Sequence, residues 1–178
     1  MKSEQARQIA AVCHCGAVRM EISGAPILSV ICHCASCQEA GKRIEAAPDA
    51  PPAFDGRGGT PFVMYRKDRI SCVSGGDQLE AQRLKPASST RRMISRCCNS
   101  AMFLEFQKGH WLSVYRGRLG PEAPPPEMRV MTADKPDDVD LPGDMPNLAT
   151  HNVRFMWRLL TAWVAMGFRV PKVAGLPD

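Results

Sequence analysis

Cys13-His14-Cys15-Gly16-Ala17-Val18-Arg19 and, further on, Cys32-His33-Cys34-Ala35-Ser36-Cys37 are the stretches on which the fold turns. In an extended strand successive side chains alternate between faces. Cys13 and Cys15 therefore share one face with His14 turned away, and Cys32 and Cys34 do the same with His33 turned away. A tight turn brings Cys37 back to that second pair. Thiolates set out in this way suit a tetrahedral zinc ion.

An even cysteine count, eight in 178 residues, also fits a disulfide framework, so the compartment has to be weighed first. The start, Met1-Lys2-Ser3-Glu4-Gln5-Ala6-Arg7-Gln8, is polar, with no apolar run behind it of the kind a secretory signal needs. No apolar stretch approaches the roughly 18 residues of a membrane span. The expectation is a cytoplasmic protein whose clustered cysteines bind metal. The formal net charge of +5 is mild. Basic residues gather centrally, from Arg66 and Lys67 to Arg91, Arg92 and Arg96, while 122–144 is acidic. Such a basic stretch suits an anionic small molecule as well as a nucleic acid.

Residues 1–10 read as a disordered start. Short strands follow, in Ala17–Ile22, Ile27–Ile31, Phe62–Tyr65, Arg69–Val73, Gln78–Leu84, Met93–Cys97, Met102–Phe106 and Trp111–Tyr115. The turn-forming pairs between them argue for a mainly β core. Gln38–Ala46 is a short helix or turn, and 47–60, rich in proline and glycine, is a loop that could wall or cover the second cysteine run. Residues 121–149 form a linker rich in proline and acid, an extended wrap or a flexible arm. The segment 150–168 is a C-terminal helix, capped by Thr150 or Asn152, whose apolar breadth points to burial against the sheet or against a second subunit as a homodimer.

Three thiolates, Cys32, Cys34 and Cys37, leave a fourth position on a zinc ion for water or substrate, which distinguishes a catalytic site from a structural one. A dication with three thiolates is a weak electrophile, better used to bind an incoming thiol as thiolate. That favours carbon–sulfur bond making or breaking over peptide hydrolysis. The alternative is a closed site completed by His33 or a remote residue, and the residues leave both open. Cys13 and Cys15 need partners from elsewhere, and Cys97-Cys98 is the available source. Their zinc would staple an early strand to a late one. Cys72 stands alone in a strand and reads as a small buried apolar residue. His110 carries no signal, and His151 reads as part of a helix cap.

The order of these features resembles the glutathione-dependent formaldehyde-activating enzyme (GFA) family, which includes centromere protein V-like members. The resemblance spans about residues 11–120. It rests on the two cysteine runs quoted above, on the Gly75-Gly76 turn, and on Arg92 leading to Cys97-Cys98-Asn99-Ser100. It implies an Mss4-like fold, small zinc-stapled β-sheets, with a GFA-like domain over 11–120. It further implies two zinc ions, one structural on Cys13, Cys15 and the late pair, one catalytic on Cys32, Cys34 and Cys37. The implied chemistry is that of a carbon–sulfur lyase, an S-(hydroxymethyl)glutathione synthase-like enzyme joining a thiol such as glutathione to a small aldehyde, or the reverse. Arg91 and Arg92 are candidates for steering the anionic thiol. The rival is a non-catalytic zinc-stabilised module that turns a basic face to nucleic acid or an acidic protein. The first reading expects small-molecule partners and neither nucleic acid nor membrane. The family's late ligands come as Cys-x-x-Cys followed by a glycine turn. Here Ser95 occupies the first of those positions if Cys98 is the second. Either Cys97 substitutes or three sulfurs hold a weaker structural zinc.

Overall fold

A computed structural model describes residues 8–176. Its small sheet has three antiparallel strands in the order β1-β2-β5: β1 (Gln8–Val12), β2 (Arg19–Ser23) and β5 (Ile70–Ser74). The large sheet has seven strands. In chain order these are β3 (Leu28–Cys32), β4 (Thr60–Arg66), β6 (Leu79–Gln82), β7 (Thr90–Ser95), β8 (Ala101–Phe106), β9 (Trp111–Tyr115) and β10 (Met128–Val130). Across the sheet they run β10-β3-β4-β9-β8-β7-β6. Two α-helices complete the architecture, α1 (Ala35–Glu45) and α2 (Val153–Val164). The protein is mainly β, and with its cysteine clusters it fits a small Mss4-like fold.

Side-chain alternation on the large sheet makes a three-layer molecule. On β4, Val63 and Tyr65 enter one core, shared with Ala11, Val18, Met20 and Ile22 of the small-sheet side. Phe62 and Met64 enter the opposite core, shared with Ile44 of α1 and Phe155 and Leu159 of α2. A strand that is covered on both faces is apolar at nearly every position, and β8 (Ala101, Met102, Phe103, Leu104) is buried throughout that run. The second core, between sheet and helices, is where the functional cavity forms.

Three expectations are corrected. Strand β1 begins at Gln8, inside the stretch taken as a disordered start, because Ile9 and Ala11 pair with β2 and bury in the first core. Residues 1–7 lie outside the described residues. The stretch 121–149 is an ordered wrap rather than a flexible arm. Its Met128-Arg129-Val130 is wholly buried and adds β10 parallel to β3. The acids there have a partner inside the wrap, since buried Arg129 binds Asp144 at 2.7 Å. Finally, α1 starts at Ala35, so Cys37 lies in its first turn, where its N–H donates to the Cys34 carbonyl at 2.9 Å.

Helix α2 is capped by Asn152, whose side chain accepts from the Phe155 N–H at 2.9 Å, and His110 Nε2 meets the Leu159 carbonyl oxygen at 3.0 Å. The helix thus packs on the sheet, while Val153, Trp157, Leu160 and Val164 form an exposed apolar stripe on its outer side. Among the described residues no helix is long and apolar enough to cross a membrane.

On β8, Glu105 receives both Lys67 Nζ and Arg91 Nε at 2.6 Å, with the Lys67 side chain only 4% exposed. Burial pushes the Glu105 carboxyl up, but its hydrogen bonds to Lys67 and Arg91 outweigh this and hold it below the usual carboxylate range. A depressed pKa contributes stability that is complete above the ordinary carboxylate value and is lost as pH falls through the folded one. Glu105→Gln, which strands the Lys67 charge, is expected to lower unfolding free energy by about 3–5 kcal/mol. Urea unfolding of the variant should also lose part of the acid dependence seen in the parent.

Two candidate metal centres

The first centre joins two turns far apart in the sequence, one after β1 and one after β7. After β1 the chain reverses through Gly16 at φ +84°, a left-handed conformation that costs a side-chain-bearing residue but not glycine. The Gly16 N–H reaches the Cys13 carbonyl, and the Val18 N–H donates to Cys13 Sγ at 3.2 Å. Cys97 and Cys98 lie in the turn that follows β7, closed by the Ser95 N–H on the Ser100 carbonyl at 2.9 Å. The chain leaves it through Asn99 at a left-handed φ of 51°, a conformation asparagine tolerates better than most residues.

The sulfurs of Cys13, Cys15, Cys97 and Cys98 all lie within 4.8 Å of one another. Cys13–Cys15 is 3.6 Å, Cys13–Cys97 3.8 Å, Cys15–Cys97 3.3 Å and Cys97–Cys98 3.9 Å. Zn–S bonds of about 2.3 Å in a tetrahedron put sulfurs about 3.8 Å apart, so this donor set fits zinc as it stands. Cys97 thus supplies the fourth sulfur of the cluster and would take the fourth ligand position on such an ion. Ser95 is buried beside the cluster, with its hydroxyl 3.4 Å from Cys98 Sγ and accepting from the Ser100 N–H at 3.1 Å. Burial raises the Cys98 thiol, but hydrogen bonds to the Ser100 and Ser95 hydroxyls bring it down to about 5. Arg118, which sequence reasoning passed over, binds Ser100 Oγ at 3.2 Å and sets a cation beside these sulfurs.

The second centre is built where β3 ends and α1 begins. Cys32, Cys34 and Cys37 hold their sulfurs within 4.8 Å of one another, Cys37 buried and the other two half-buried. The ordered wrap braces this corner. Asp134 accepts from the Ala35 N–H at 3.1 Å, and Gln38 Nε2 spans the His33 and Asp134 carbonyls at 2.6 Å each. Hydrogen bonds from Cys32 and then Cys37 hold the Cys34 thiol down to about 2, whereas the same bonds push Cys32 well above its ordinary value. At Cys37 a bond with Cys32 lowers the pKa, but that with Cys34 and burial prevail and raise it to about 12. The three crowded sulfurs thus share their protons through mutual hydrogen bonds. A bound dication would release the remaining protons.

Arg92 does not face this cluster from the substrate side, as its assignment to an anionic thiol would require. It is 1% exposed beneath the cluster, donating to the Ser36 carbonyl at 3.1 Å with Nη2 3.9 Å from Cys37 Sγ. Its other nitrogens, Nε and Nη1, have no hydrogen-bond partner. A buried cation under a sulfur cluster favours its anionic form. Arg91 is committed to Glu105. His33 is fully buried against Gly59 and does not join the sulfurs, so three thiolates stand without a fourth protein ligand among the described residues. Cys72 stands apart on β5, half-buried, with its N–H donating to the Ala174 carbonyl at 2.8 Å.

Above the three sulfurs lies a cavity of about 390 Å³. Its walls come from the sheet (Phe62, Leu104, Trp111), from Met131 of the wrap, and from α2 (Phe155, Leu159). His151 lines it too, its ring 4.3 Å from that of Phe155, while Asn152 performs the capping. The i, i+4 spacing of Phe155 and Leu159 was a readable signal for a helix face turned inward. Nothing in the sequence marked His151.

Residues 8–48, which contain Cys13, Cys15, Cys32, Cys34 and Cys37, match the model of the family described as glutathione-dependent formaldehyde-activating enzyme. Over these residues the chain is similar to the GFA family. The segment supplies half of the first centre and all of the second, and the late ligands Cys97 and Cys98 fall outside it. No curated protein matches the chain. Among solved structures, the chain is similar to a crystal structure of a Rhodobacter sphaeroides protein at 17% identity and a TM-score of 0.45, over 66% of this chain and 92% of that one. The segment similar to the GFA family and the two sulfur clusters together give the chain two groups of residues that could hold metal ions, with donors consistent with zinc.

Proposed function

We propose that the chain is a zinc-dependent carbon–sulfur lyase-like enzyme that joins a thiol to an aldehyde as a hemithioacetal, or splits that adduct. The observation that carries the reading is the contrast between the two clusters. Four sulfurs saturate one tetrahedron, while three sulfurs leave the other with a vacant position beside a cavity. Cys13, Cys15, Cys97 and Cys98 would hold the structural ion, and Cys32, Cys34 and Cys37 the working one. Zinc bound there would lower the pKa of an incoming thiol and keep it as thiolate at neutral pH.

The remaining tasks fall to the chain. Arg92, buried behind Cys37, offsets the charge that three cysteine thiolates and a substrate thiolate accumulate. Phe155 and Leu159 exclude water from the space in which the aldehyde meets the sulfur. In the forward direction a sulfur–carbon bond forms, the carbonyl π pair moves to oxygen, and the proton given up by the thiol ends on that oxygen. His151, Thr90 and Ser113 line the same cavity and can hydrogen-bond the oxygen as its charge develops. All eight cysteines are free, which a reducing cytoplasmic setting would maintain.

Several of the central cations are committed to ion pairs, Arg66 with Asp68 and both Lys67 and Arg91 with Glu105, which supports this reading over a basic nucleic-acid face. The test is metal content with coordination. Protein reconstituted with cobalt should bind two ions per chain, and added thiol should change the spectrum of one of them. Mixed with thiol and aldehyde, the zinc form should accelerate hemithioacetal formation measured by NMR exchange. Four protein ligands at both ions in the resting protein would defeat the proposal.

A further inference from the structure

We infer that the cavity beside the three-cysteine centre takes an uncharged apolar group, an aromatic or branched aliphatic carbon skeleton borne by the thiol or by the aldehyde, rather than the charged peptide of glutathione with a one-carbon aldehyde. The inference rests on the proposed catalytic role of Cys32, Cys34 and Cys37 and specifies what that site accepts.

Size is the first argument. A cavity of about 390 Å³ falls within the range of roughly 300–1,000 Å³ typical of small-molecule sites. With water occupying about 30 Å³ per molecule, it would hold about a dozen waters. Formaldehyde, with one carbon and one oxygen, would leave nearly all of that space wet or empty. The walls have the composition expected for an apolar guest. Phe62, Leu104, Phe106, Trp111, Phe155 and Leu159 supply them, and four aromatic rings among these six can pack a planar group.

Charge is the second argument. Among the described residues, no lysine, arginine, aspartate or glutamate lines this cavity. Glutathione carries two carboxylates and an ammonium, and an ion moved from water into such a lining without a counter-charge is strongly disfavoured. The two cations nearest in sequence are unavailable. Arg92 lies beneath Cys37 and outside the lining. Arg91 lines a different cavity with Lys67 and Glu105. Apart from the cysteines, what polarity the lining has comes from uncharged side-chain types, Ser36 beside Cys34 Sγ at 3.3 Å and Thr90, Ser113 and His151 elsewhere in the lining. That pattern, broad apolar walls with a few hydrogen-bonding groups, fits a neutral carbonyl or thiol group on a hydrocarbon body.

The experiment titrates benzyl mercaptan and glutathione separately into the cobalt-loaded full chain, reading the sulfur-to-cobalt charge-transfer band. Turnover of the zinc form is then followed for benzyl mercaptan with formaldehyde, glutathione with benzaldehyde, and glutathione with formaldehyde. At least tenfold tighter binding of benzyl mercaptan places the apolar group on the thiol. Comparable thiol binding with at least tenfold faster turnover of benzaldehyde than formaldehyde places it on the aldehyde. Glutathione with formaldehyde performing as well as or better than both other pairs overturns the inference while leaving the lyase reading intact. A band that responds to neither thiol overturns both. Met156→Lys provides an independent check, since Met156 lines the cavity yet is 55% exposed, so the substitution is compatible with folding. A cation there should shift the preference toward glutathione by at least fivefold, and an unchanged ratio counts against an apolar, charge-excluding cavity.

Discussion

Cys34→Ala is expected to bind one metal ion per chain where the parent binds two, and to lose hemithioacetal turnover to the uncatalysed background, while the fold survives. Structural zinc sites bind with apparent free energies of about 10–16 kcal/mol, so one ligand in four is worth roughly 3 kcal/mol, about a hundredfold in affinity. A centre with only three protein ligands has no spare donor to absorb that loss. The fold should persist because Cys34 makes no side-chain cap at the start of α1, which is instead anchored by Asp134 on the Ala35 N–H and by Gln38 on two carbonyls. Elemental analysis, far-UV circular dichroism and the exchange assay read the three parts separately. A variant that keeps two ions and full turnover would remove Cys34 from the site.

The cysteine centres were legible in the sequence because close spacing keeps these sulfurs near one another, but not for the reason the sequence suggested. Cys13 and Cys15 lie in the turn after β1, and Cys34 stands at the N-terminus of α1 just past the end of β3, so a turn and a helix start, rather than strand alternation, bring the sulfurs together. Where Ser95 stands in place of a cysteine, the turn after β7 brings the sulfurs of adjacent Cys97 and Cys98 to within 4.8 Å of Cys13 and Cys15, a placement that spacing does not encode. The strands of the large sheet were legible as short runs parted by turn-forming pairs, and β10 was not. Three residues are too few to show a period, and Met128-Arg129-Val130 becomes a strand only through its parallel pairing with β3, nearly a hundred positions earlier in the chain. Its surroundings, rich in proline and acid, read as a linker because the role of Asp144 as counter-ion to Arg129 and of Asp134 at α1 exists only in the folded chain. The roles of Arg91 and Arg92 show the converse error. Adjacent cations looked like one anion-steering patch, but neighbours on a strand face opposite ways, and here one pairs with Glu105 while the other is buried under Cys37. The cavity could not be read at all, since its lining is gathered from strands, wrap and helix far apart in sequence.

Cys13→Ser should damage stability rather than chemistry, and by more than any substitution at the open centre. The four-sulfur cluster ties the turn after β1 to the turn after β7, with Cys15 and Cys97 82 positions apart. A cross-link closing a loop of that length removes about 4 kcal/mol of chain entropy from the unfolded state on the loop-entropy account, the same logic that applies to disulfides. Cys13 is also the buried member of the set, 3% exposed, with the Val18 N–H resting on its sulfur. A serine hydroxyl can take that hydrogen bond, so the variant isolates the metal bond. For a chain of this size, with 1 kcal/mol shifting Tm by about 2–4 °C, the loss corresponds to a drop of roughly 10 °C or more. The parent should fall by a similar amount when a strong chelator strips its metal, whereas Cys13→Ser should respond much less to chelator, because the ion that staples its sheets is already gone. The thiol-responsive cobalt band of the three-cysteine centre should remain in whatever fraction of the variant is folded. A parent whose Tm ignores chelator, or a Cys13→Ser protein as stable as the parent, would mean that packing alone holds the small sheet to the large one and that the four sulfurs are no staple.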